Sequence, residues 1–248
     1  MDKVLIVTGA GRGIGAATAR LAGANGYAVC VNYLARADAA AAVVADIESD
    51  GGRAIMVQGD TGNEADILRL FETCERRLGR VTHLVNNAGV TGPICRLDEL
   101  RAEDLRRVLE VNVVGYFLCA REAVRRMSTR HGGSGGAIVN VSSRASTLGG
   151  PHEWLHYGAS KGAVNTFTIG LAREVAAEHI RVNAVIPGLI DTELHASAGD
   201  PDRLARLAPS IPLQRAGSAE EMAEVILFLL SDAASYITGT CVEATGGR

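Results

Sequence analysis

Short runs of β-branched and apolar residues alternate with longer, alanine-rich stretches along nearly the whole chain. Runs that are apolar along their full length are typical of strands buried on both faces of a parallel sheet. The predicted strands are 3–8, 28–33, 53–58, 82–87, 136–143 and 180–186, with a weaker one at 241–244. The predicted helices lie near 14–25, 36–50, 63–78, 103–130, 155–178 and 218–231. This order predicts an α/β fold: a doubly wound, seven-stranded parallel sheet with helices on both faces.

No repeat, charge block or long linker divides the sequence, so we expect residues 1–248 to form a single domain. The span 189–217 differs from the rest, because it is rich in Asp, Pro, Ser and Ala and interrupts the β-α rhythm. A long excursion at the carboxyl end of a parallel strand is the usual place for an active-site lid. We therefore predict a substrate lid there, with a plain surface loop as the alternative.

The composition excludes several classes of protein. A chain of 248 residues with 47% hydrophobic content can bury a core without disulfides, and its five scattered cysteines form no C-x-x-C pair. We predict no metal site and a cytoplasmic location, with His83, His131 and His179 as capping or surface residues. A formal charge of −3 gives no indication of nucleic-acid or membrane-surface binding. No run of 18 apolar residues predicts a membrane span.

The glycine-rich stretch TGAGRGIG, residues 8–15, follows the first predicted strand and opens the first helix. Glycines allow a sharp turn and a close approach to an anion, which the helix N-terminus then stabilises. No Lys-Ser/Thr pair of a triphosphate-binding loop follows, which favours a dinucleotide. The residues predicted to bind it here are Gly9, Gly11, Arg12, Gly13, Ile14 and Gly15.

The end of the second strand indicates which dinucleotide is bound. An acidic residue there would accept the ribose hydroxyls and repel a 2′-phosphate. The strand ends instead in Asn32-Tyr33, with no acid, and Arg12 and Arg36 are placed to reach a 2′-phosphate. We therefore favour NADP(H), with NAD(H) possible; the alternative is that both arginines are merely solvated.

Tyr157 and Lys161 are four residues apart within HYGASKGAVN, among small side chains. On a helix they share one face. A phenol is a poor proton donor or acceptor at neutral pH unless a nearby cation stabilises its phenolate. The pair alone is also compatible with an ordinary helix surface.

Four motifs occur in order: T-G-x-x-x-G-I-G at 8–15, NNAG at 86–89, a serine pair at 142–143 and Y-x-x-x-K at 157–161. Together they resemble the short-chain dehydrogenase/reductase family over the whole chain. The resemblance implies a Rossmann domain that interconverts a ketone or aldehyde and an alcohol with a nicotinamide dinucleotide. A dinucleotide-binding sensor or scaffold without turnover is the rival hypothesis, which the complete set of catalytic residues disfavours.

The resemblance also implies the catalytic roles. Tyr157 would exchange a proton with the substrate oxygen, and Lys161 would lower the pKa of that phenol and bind the nicotinamide ribose. Ser143 would hold the substrate oxygen, and Asn112 would lie in a helix bend and anchor a water molecule. The segment between Ser143 and Tyr157 is about one residue longer than the commonest family form, so Ser142 remains an alternative to Ser143.

Further cofactor contacts are implied by the same resemblance. They follow the third, fourth and sixth strands: Asp60, Thr61, Asn87, Ala88, Gly89, Pro187, Gly188, Ile190 and Thr192. Two of these positions have simpler interpretations, because Asp60 could cap a helix and Pro187-Gly188 could be a strand-ending turn. The tail departs from the family pattern, with Glu-Ala-Thr at 243–245 where an apolar-Asp pair is more usual.

The substrate is expected to be a small carbonyl compound or alcohol, bordered by Trp154, Ile94 and His195. Trp154 could equally pack against the lid or a neighbouring subunit, and His195 could be a surface residue. Family members tend to form tetramers through the helices around 103–130 and 155–178, so we expect a homo-oligomer and favour a tetramer.

Overall fold

All seven predicted strands pair in one parallel sheet in the computed structural model, which describes residues 3–194 and 199–248. The strands are β1 (Val4–Val7), β2 (Ala28–Tyr33), β3 (Arg53–Gln58), β4 (His83–Asn86), β5 (Gly136–Val141), β6 (Ile180–Pro187) and β7 (Cys241–Ala244). Their order across the sheet is β3-β2-β1-β4-β5-β6-β7. The predicted doubly wound fold is confirmed, and its order reverses between β1 and β4, where ligands bind in such sheets.

The helices that connect the strands cover both faces of the sheet. They are α1 (Gly13–Ala24), α2 (Ala37–Ser49), α3 (Glu64–Leu78), α4 (Ala102–Leu109), α5 (Gly115–Met127), α6 (Ala145–Leu148), α7 (Leu155–Val175), α8 (Arg203–Leu207) and α9 (Ala219–Leu230). Within 3–194 and 199–248, none of them is both long and apolar enough to cross a lipid bilayer.

Two apolar clusters hold the layers together, and the alternation of side chains along each strand divides them. Leu5 and Val7 of β1 belong to a cluster that includes residues of α1, α2 and α9. Val4 and Ile6 point the other way, into a cluster with residues of α3, α5 and α7. Both faces of the strand are therefore buried, as its unbroken apolar sequence predicts.

The helix predicted over 103–130 is not continuous. A π-helical turn at Glu110–Val114 separates α4 from α5. Such a turn leaves no signal in apolar periodicity, so the sequence pattern missed it. Gly115 begins α5 where a Cβ would lie only 2.4 Å from the Thr61 carbonyl oxygen, so only glycine allows this helix to approach the loop after β3.

The excursion at 189–217 starts and finishes at the same place. Gly217 donates a backbone hydrogen bond to the Leu189 carbonyl (2.9 Å), and Asp191 donates one to the Gly217 carbonyl (2.8 Å). Between these ends lies α8, which the sequence pattern did not predict.

His83 does not lie at the surface as expected. It is the first residue of β4, 9% exposed, and its ring meets the Tyr27 ring edge-on at 5.0 Å between centroids. Desolvation lowers the pKa of its imidazole to about 4.

Candidate active site

A cleft of about 700 Å³ opens at the carboxyl ends of the strands, beside the reversal of strand order. Its volume is in the range of small-molecule sites. Ser143, Trp154 and all of the predicted dinucleotide-binding residues except Gly15 line it. A Cβ on Gly15 would lie 2.5 Å from Asn87 Nδ2, so that glycine serves the packing of α1 against the NNAG segment.

The NNAG segment supports the glycine turn from behind. Asn87 Nδ2 donates to the carbonyl oxygens of Thr8 (2.9 Å) and Gly9 (3.1 Å). Thr8 Oγ1 accepts hydrogen bonds from the backbone N–H groups of Asn87 and Ala88. Gly9 has φ +63°, and a Cβ there would lie 2.9 Å from Ala88 Cα, so the turn needs glycine at this position.

Asn32 lines the cleft, but its side chain is already satisfied by the protein. Its Oδ1 accepts from the Gly9 N–H (3.1 Å), and its Nδ2 donates to the carbonyls of Val57 and Gly59. The residue is 2% exposed. Asn32 therefore ties the glycine turn to the end of β3, a structural role that its position at the end of β2 did not reveal.

Arg12 and Arg36 converge on a single anion. The nearest guanidinium nitrogens lie 3.0 Å and 3.7 Å from the same carboxylate oxygen, Glu193 Oε2. Arg36 also lies 3.5 Å from Asp38. The two guanidinium groups thus form an anion site at the end of β2, where the described chain places no acidic residue on the strand itself.

Asp60 binds Arg107 and does not cap a helix. Its two oxygens lie 3.0 Å and 2.9 Å from Arg107 Nη2, and Oδ1 also accepts from the Gly62 N–H. The cap of α3 is Asn63, whose Oδ1 accepts from two backbone N–H groups of the first turn. The helix-cap interpretation of Asp60 is therefore wrong; the neighbouring Thr61 is buried.

The segment after β6 faces the glycine turn. Pro187 ends the strand, and Gly188 donates to the Ala244 carbonyl of β7 (3.0 Å). A Cβ on Gly13 would lie 3.4 Å from Thr192 Cγ2, so Thr192 packs beside the N-terminus of α1. Ile190 is buried and pairs with Gly217 at the base of the lid.

Ser143, and not Ser142, faces Tyr157. Ser143 lines the cleft together with Tyr157, and its hydroxyl lowers the pKa of the Tyr157 phenol, whereas Ser142 Oγ donates to the main-chain carbonyl of Lys161 (3.2 Å). Burial raises the pKa of the Tyr157 phenol, and the Ser143 hydroxyl offsets this only in part. The phenol is therefore protonated at neutral pH in the free protein.

Lys161 is buried, with 2% of its surface exposed. Its Nζ donates to the Val141 carbonyl (2.7 Å) and to the Tyr116 hydroxyl (3.1 Å), and lies 5.8 Å from the centre of the Tyr157 ring. Desolvation lowers the pKa of the ammonium to about 7. A group with this pKa changes its charge readily near neutral pH.

Asn112 lies in the π turn, as the resemblance implied, and is fully buried. Its Oδ1 accepts from the Val90 N–H, and its Nδ2 donates to the Val90 carbonyl and to Ser160 Oγ. These bonds join the π turn to α7 and to the segment after β4. The side chain does not line the cleft, but Gly89 lies between it and Lys161, since a Cβ there would be 3.4 Å from Asn112 Oδ1 and 3.5 Å from Lys161 Nζ.

Trp154 lies between the cleft and α8 of the 189–217 excursion. It is 5% exposed, and the Arg203 guanidinium of α8 lies 4.6 Å from its ring centroid. Arg203 also binds both carboxylate oxygens of Glu153, at 2.7 Å and 2.8 Å. Both the substrate-wall and the lid-packing interpretations of Trp154 therefore fit its position.

The profile of the family described as enoyl-(acyl carrier protein) reductase matches residues 9–248. An uncharacterised oxidoreductase of Escherichia coli, YgfF, is 51% identical over 99% of both chains. The chain belongs to the short-chain dehydrogenase/reductase family. It is therefore an oxidoreductase that acts on CH–OH or C=O groups. Two other relatives of this short-chain dehydrogenase have named activities. A 3-oxoacyl-[acyl-carrier-protein] reductase of Synechocystis is 40% identical, and the match covers 99% of this chain and 96% of that one. A cis-4-hydroxycyclohexanecarboxylate dehydrogenase of Sinomonas cyclohexanicum is 41% identical, and the match covers 99% of this chain and 96% of that one.

Solved structures of other short-chain dehydrogenases share the fold over nearly the whole chain. A Burkholderia cenocepacia enzyme in complex with NADP superposes with a TM-score of 0.90 at 33% identity, covering 99% of this chain and 97% of that one. An NAD⁺-bound xylitol dehydrogenase superposes with a TM-score of 0.89 at 33% identity, covering 99% and 98%. The family therefore binds both dinucleotides.

One predicted substrate contact of this short-chain dehydrogenase is not at the site: Ile94 is 41% exposed and does not line the cleft. His195 lies outside the described residues.

Sequence reasoning also missed residues that do contact the site. Arg144 follows Ser143, lines the cleft and binds Glu243 at 2.8 Å, the acid at which the tail departs from the family pattern. Arg107 and Arg203 line it from α4 and α8. Of these three arginines, only Arg144 could have been found from the sequence, because it directly follows the serine pair. Arg107 and Arg203 reach the cleft through tertiary packing.

Proposed function

We propose that this protein interconverts a ketone or aldehyde and an alcohol, with NADP(H) as the preferred cofactor. Tyr157 donates a proton during reduction and accepts one during oxidation. The observation that carries the proposal is that Ser143, Tyr157 and the buried Lys161 line one cleft, with Lys161 Nζ 5.8 Å from the centre of the Tyr157 ring. Residues 1–248 act as one domain, with 189–217 as its substrate lid.

The opposite end of the cleft fits a dinucleotide phosphate. The glycine turn presents the N-terminus of α1, where the side chain of Arg12, the N-cap residue, does not cap the N–H groups of the first turn. Arg12 and Arg36 already bind one carboxylate oxygen of Glu193, so both guanidinium groups can reach one phosphate oxygen. This convergence supports NADP(H) over NAD(H). When bound, the nicotinamide supplies or accepts the hydride.

The side chains of this chain provide the proton and stabilise the developing charge. As the carbonyl carbon gains a hydride, negative charge develops on oxygen, and the Ser143 and Tyr157 hydroxyls are the donors directed at it. Tyr157 transfers its proton to that oxygen, which yields the alcohol and a phenolate that is later reprotonated from solvent. Lys161 stabilises the phenolate, and Asn112 holds the π turn against α7 and against the segment after β4, beside Lys161. General acid catalysis of this kind contributes typically ~10²–10⁴-fold.

The substrate is a small molecule held in the cleft, which Trp154 and Arg203 of the lid both line. The named relatives act on a 3-oxoacyl group and on a hydroxycyclohexanecarboxylate, compounds of different shape that share a secondary alcohol or ketone. We infer the same reacting group for this protein. The wall formed by Glu153, Trp154 and Arg203 determines what else fits.

The test is consumption of NADPH and of NADH across a panel of ketones, aldehydes and 3-oxoacyl thioesters, with Tyr157→Phe in parallel. We expect turnover to fall by about 10²–10⁴-fold in Tyr157→Phe while cofactor binding persists. Tyr236→Phe, which alters a fully exposed phenol, is the matched control. Turnover that survives in Tyr157→Phe would contradict the mechanism, and tight cofactor binding without any turnover would favour the sensor hypothesis.

We further propose a homotetramer built through α5 and α7, located in the cytoplasm. Phe117 is 49% exposed, yet its ring stacks on Phe167 with 3.9 Å between centroids. Val114, the last residue of the π turn, and Ile169 of α7 are also exposed, and they extend an apolar surface that a second copy would cover. All five cysteines are free thiols, which supports the cytoplasmic location. A monomer in light scattering would contradict the oligomer.

A further inference from the structure

Tyr116, the second residue of α5, places its hydroxyl group against Lys161. The residue is 2% exposed. Its hydroxyl accepts a hydrogen bond from Lys161 Nζ (3.1 Å) and donates one to the Val141 carbonyl (3.0 Å). Lys161 Nζ donates to the same carbonyl at 2.7 Å. The phenol, the ammonium and the carbonyl therefore form a closed triangle of hydrogen bonds.

Tyr116 is itself held in place by a chain of buried polar groups. Its main-chain carbonyl accepts from Asn86 Nδ2, which also donates to Asn140 Oδ1 (3.0 Å). Asn140 Nδ2 in turn donates to Thr168 Oγ1 (2.9 Å). The chain links α5 to β4, β5 and α7, so the tyrosine is fixed relative to the helix that carries Lys161. A fixed acceptor orients a flexible lysine at little further entropic cost.

The two acceptors determine what the lysine does. An ammonium has three N–H donors, and a buried one needs acceptors to remain charged. Two donors go to Tyr116 and Val141, and the centre of the Tyr157 ring lies 5.8 Å from the same nitrogen. At neutral pH Lys161 is close to equal populations of its charged and neutral forms, because burial lowers its pKa to about 7. The loss of one acceptor would therefore shift it towards the neutral form.

The groups around the triangle are few. Lys161 faces two titratable groups, the phenols of Tyr116 from α5 and Tyr157 from α7. Cys119 lies behind Tyr116 on the same helix and stays neutral, since burial raises its pKa to about 12. The π turn, the segment after β4 and β5 contribute only neutral groups, those of Asn112, Gly89 and Val141.

We propose that Tyr116 is a positioning residue for the reaction, whose hydroxyl keeps the Lys161 ammonium charged and directed at Tyr157. The inference rests on the proposed function, because it assigns Tyr116 the task of supporting Tyr157 as the proton acceptor. Without the hydroxyl, positive charge beside Tyr157 is lost and its phenolate becomes harder to form. Alcohol oxidation, which needs that phenolate, then requires a higher pH.

The test compares Tyr116→Phe, which keeps the ring, with Tyr27→Phe as the matched control. The Tyr27 hydroxyl is also buried but has no hydrogen-bond partner among the described residues. One readout is the pH dependence of kcat/KM for NADP⁺-linked oxidation of an alcohol that the panel identifies. The other readout is a pH titration of cofactor-free protein, followed by the absorbance of tyrosinate. The contribution of Tyr157 is obtained by subtracting the titration of the same protein with Tyr157→Phe added.

We expect the acid limb of the profile and the Tyr157 titration to move up by about one pH unit in Tyr116→Phe. Tyr27→Phe is expected to match the wild type in both. An unchanged profile and titration would overturn the inference, and so would a shift to lower pH, which would mean that the hydroxyl draws Lys161 away from Tyr157.

Failure of the proposed function has a separate signature, since Tyr157→Phe would then keep its turnover. Melting curves establish that each variant is folded. If Tyr116→Phe does not fold, Tyr116→Met removes the hydroxyl with a flexible apolar side chain and is judged by the same two readouts.

Discussion

The guanidinium group of Arg203 lies against the face of the Trp154 indole ring, 4.6 Å from its centroid. Arg203 belongs to the lid, whereas Trp154 immediately precedes the helix that carries Tyr157 and Lys161. The bidentate ion pair between Arg203 and Glu153 strengthens the contact. The 189–217 excursion is therefore attached to the N-terminus of α7.

Arg203→Ala should weaken substrate binding while leaving the proton chemistry intact. Loss of the ring contact and of the ion pair frees the lid, so we expect KM to rise about tenfold with kcat little changed. Arg206→Ala is the matched control, because Arg206 is on the same helix but does not line the cleft. A fall in kcat with KM unchanged would show that the contact serves the chemical step instead.

Arg36→Ala should raise the Kd for NADPH by about 10–100-fold and leave that for NADH nearly unchanged, because only NADPH carries the 2′-phosphate. Glu193→Gln should have the opposite effect on NADPH, since it removes the carboxylate that now occupies both arginines. Arg20→Ala, which breaks an exposed ion pair with Asp46, is the control. Fluorescence titration measures both constants, and equal losses for the two cofactors would refute the assignment.

Gly115→Ala should destabilise the fold by about 1–3 kcal/mol, because the new methyl group would meet the Thr61 carbonyl at 2.4 Å. Gly170→Ala, in α7, should instead stabilise it by about 0.5–1 kcal/mol, since apart from the adjoining residues and backbone of its own helix no described atom lies within 4 Å of that Cβ position. Urea denaturation, at a concentration where both variants share one oligomeric state, gives both values. An unchanged free energy of unfolding in Gly115→Ala would show that the backbone around the π turn can shift at little cost.

The buried His83 should make stability depend on pH. Its folded pKa, about 4, is below that of an unfolded histidine, so protons favour the unfolded chain. Stability is then complete above about pH 6.5 and falls as the pH is lowered towards 4, by about 2 kcal/mol between pH 7 and pH 5. His83→Phe should remove this part of the pH dependence in urea titrations, whereas the exposed His131→Gln should not. Equal slopes in all three proteins would exclude His83 as the cause.

The parts of the fold that could be predicted are those that short stretches of sequence determine. Strand positions followed from apolar runs, and the glycine turn, the NNAG segment and the Tyr–Lys pair each lie within a few residues of sequence. Their meeting in one cleft followed from parallel topology, which brings the carboxyl ends of strands together.

The remainder depends on distant contacts. Tyr116 meets Lys161 across 45 residues of sequence, and Arg203 meets Glu153 across 50. Neither contact is encoded by periodicity. The structural role of Asn32 could not be predicted either. An amide side chain at the end of a strand is compatible with a cofactor contact, and its bonds to Gly9 and Gly59 become evident only in the folded chain.

The lid leaves and rejoins the sheet at a single point, where Leu189 and Gly217 are hydrogen-bonded. The residues between these ends can therefore change in length or sequence without moving the strands, provided that the contacts of Arg203 with Glu153 and Trp154 are kept. The scaffold thus keeps reactivity and selectivity on separately replaceable parts. Related proteins with this scaffold can acquire new substrates through changes in this one segment while the residues for proton transfer stay the same.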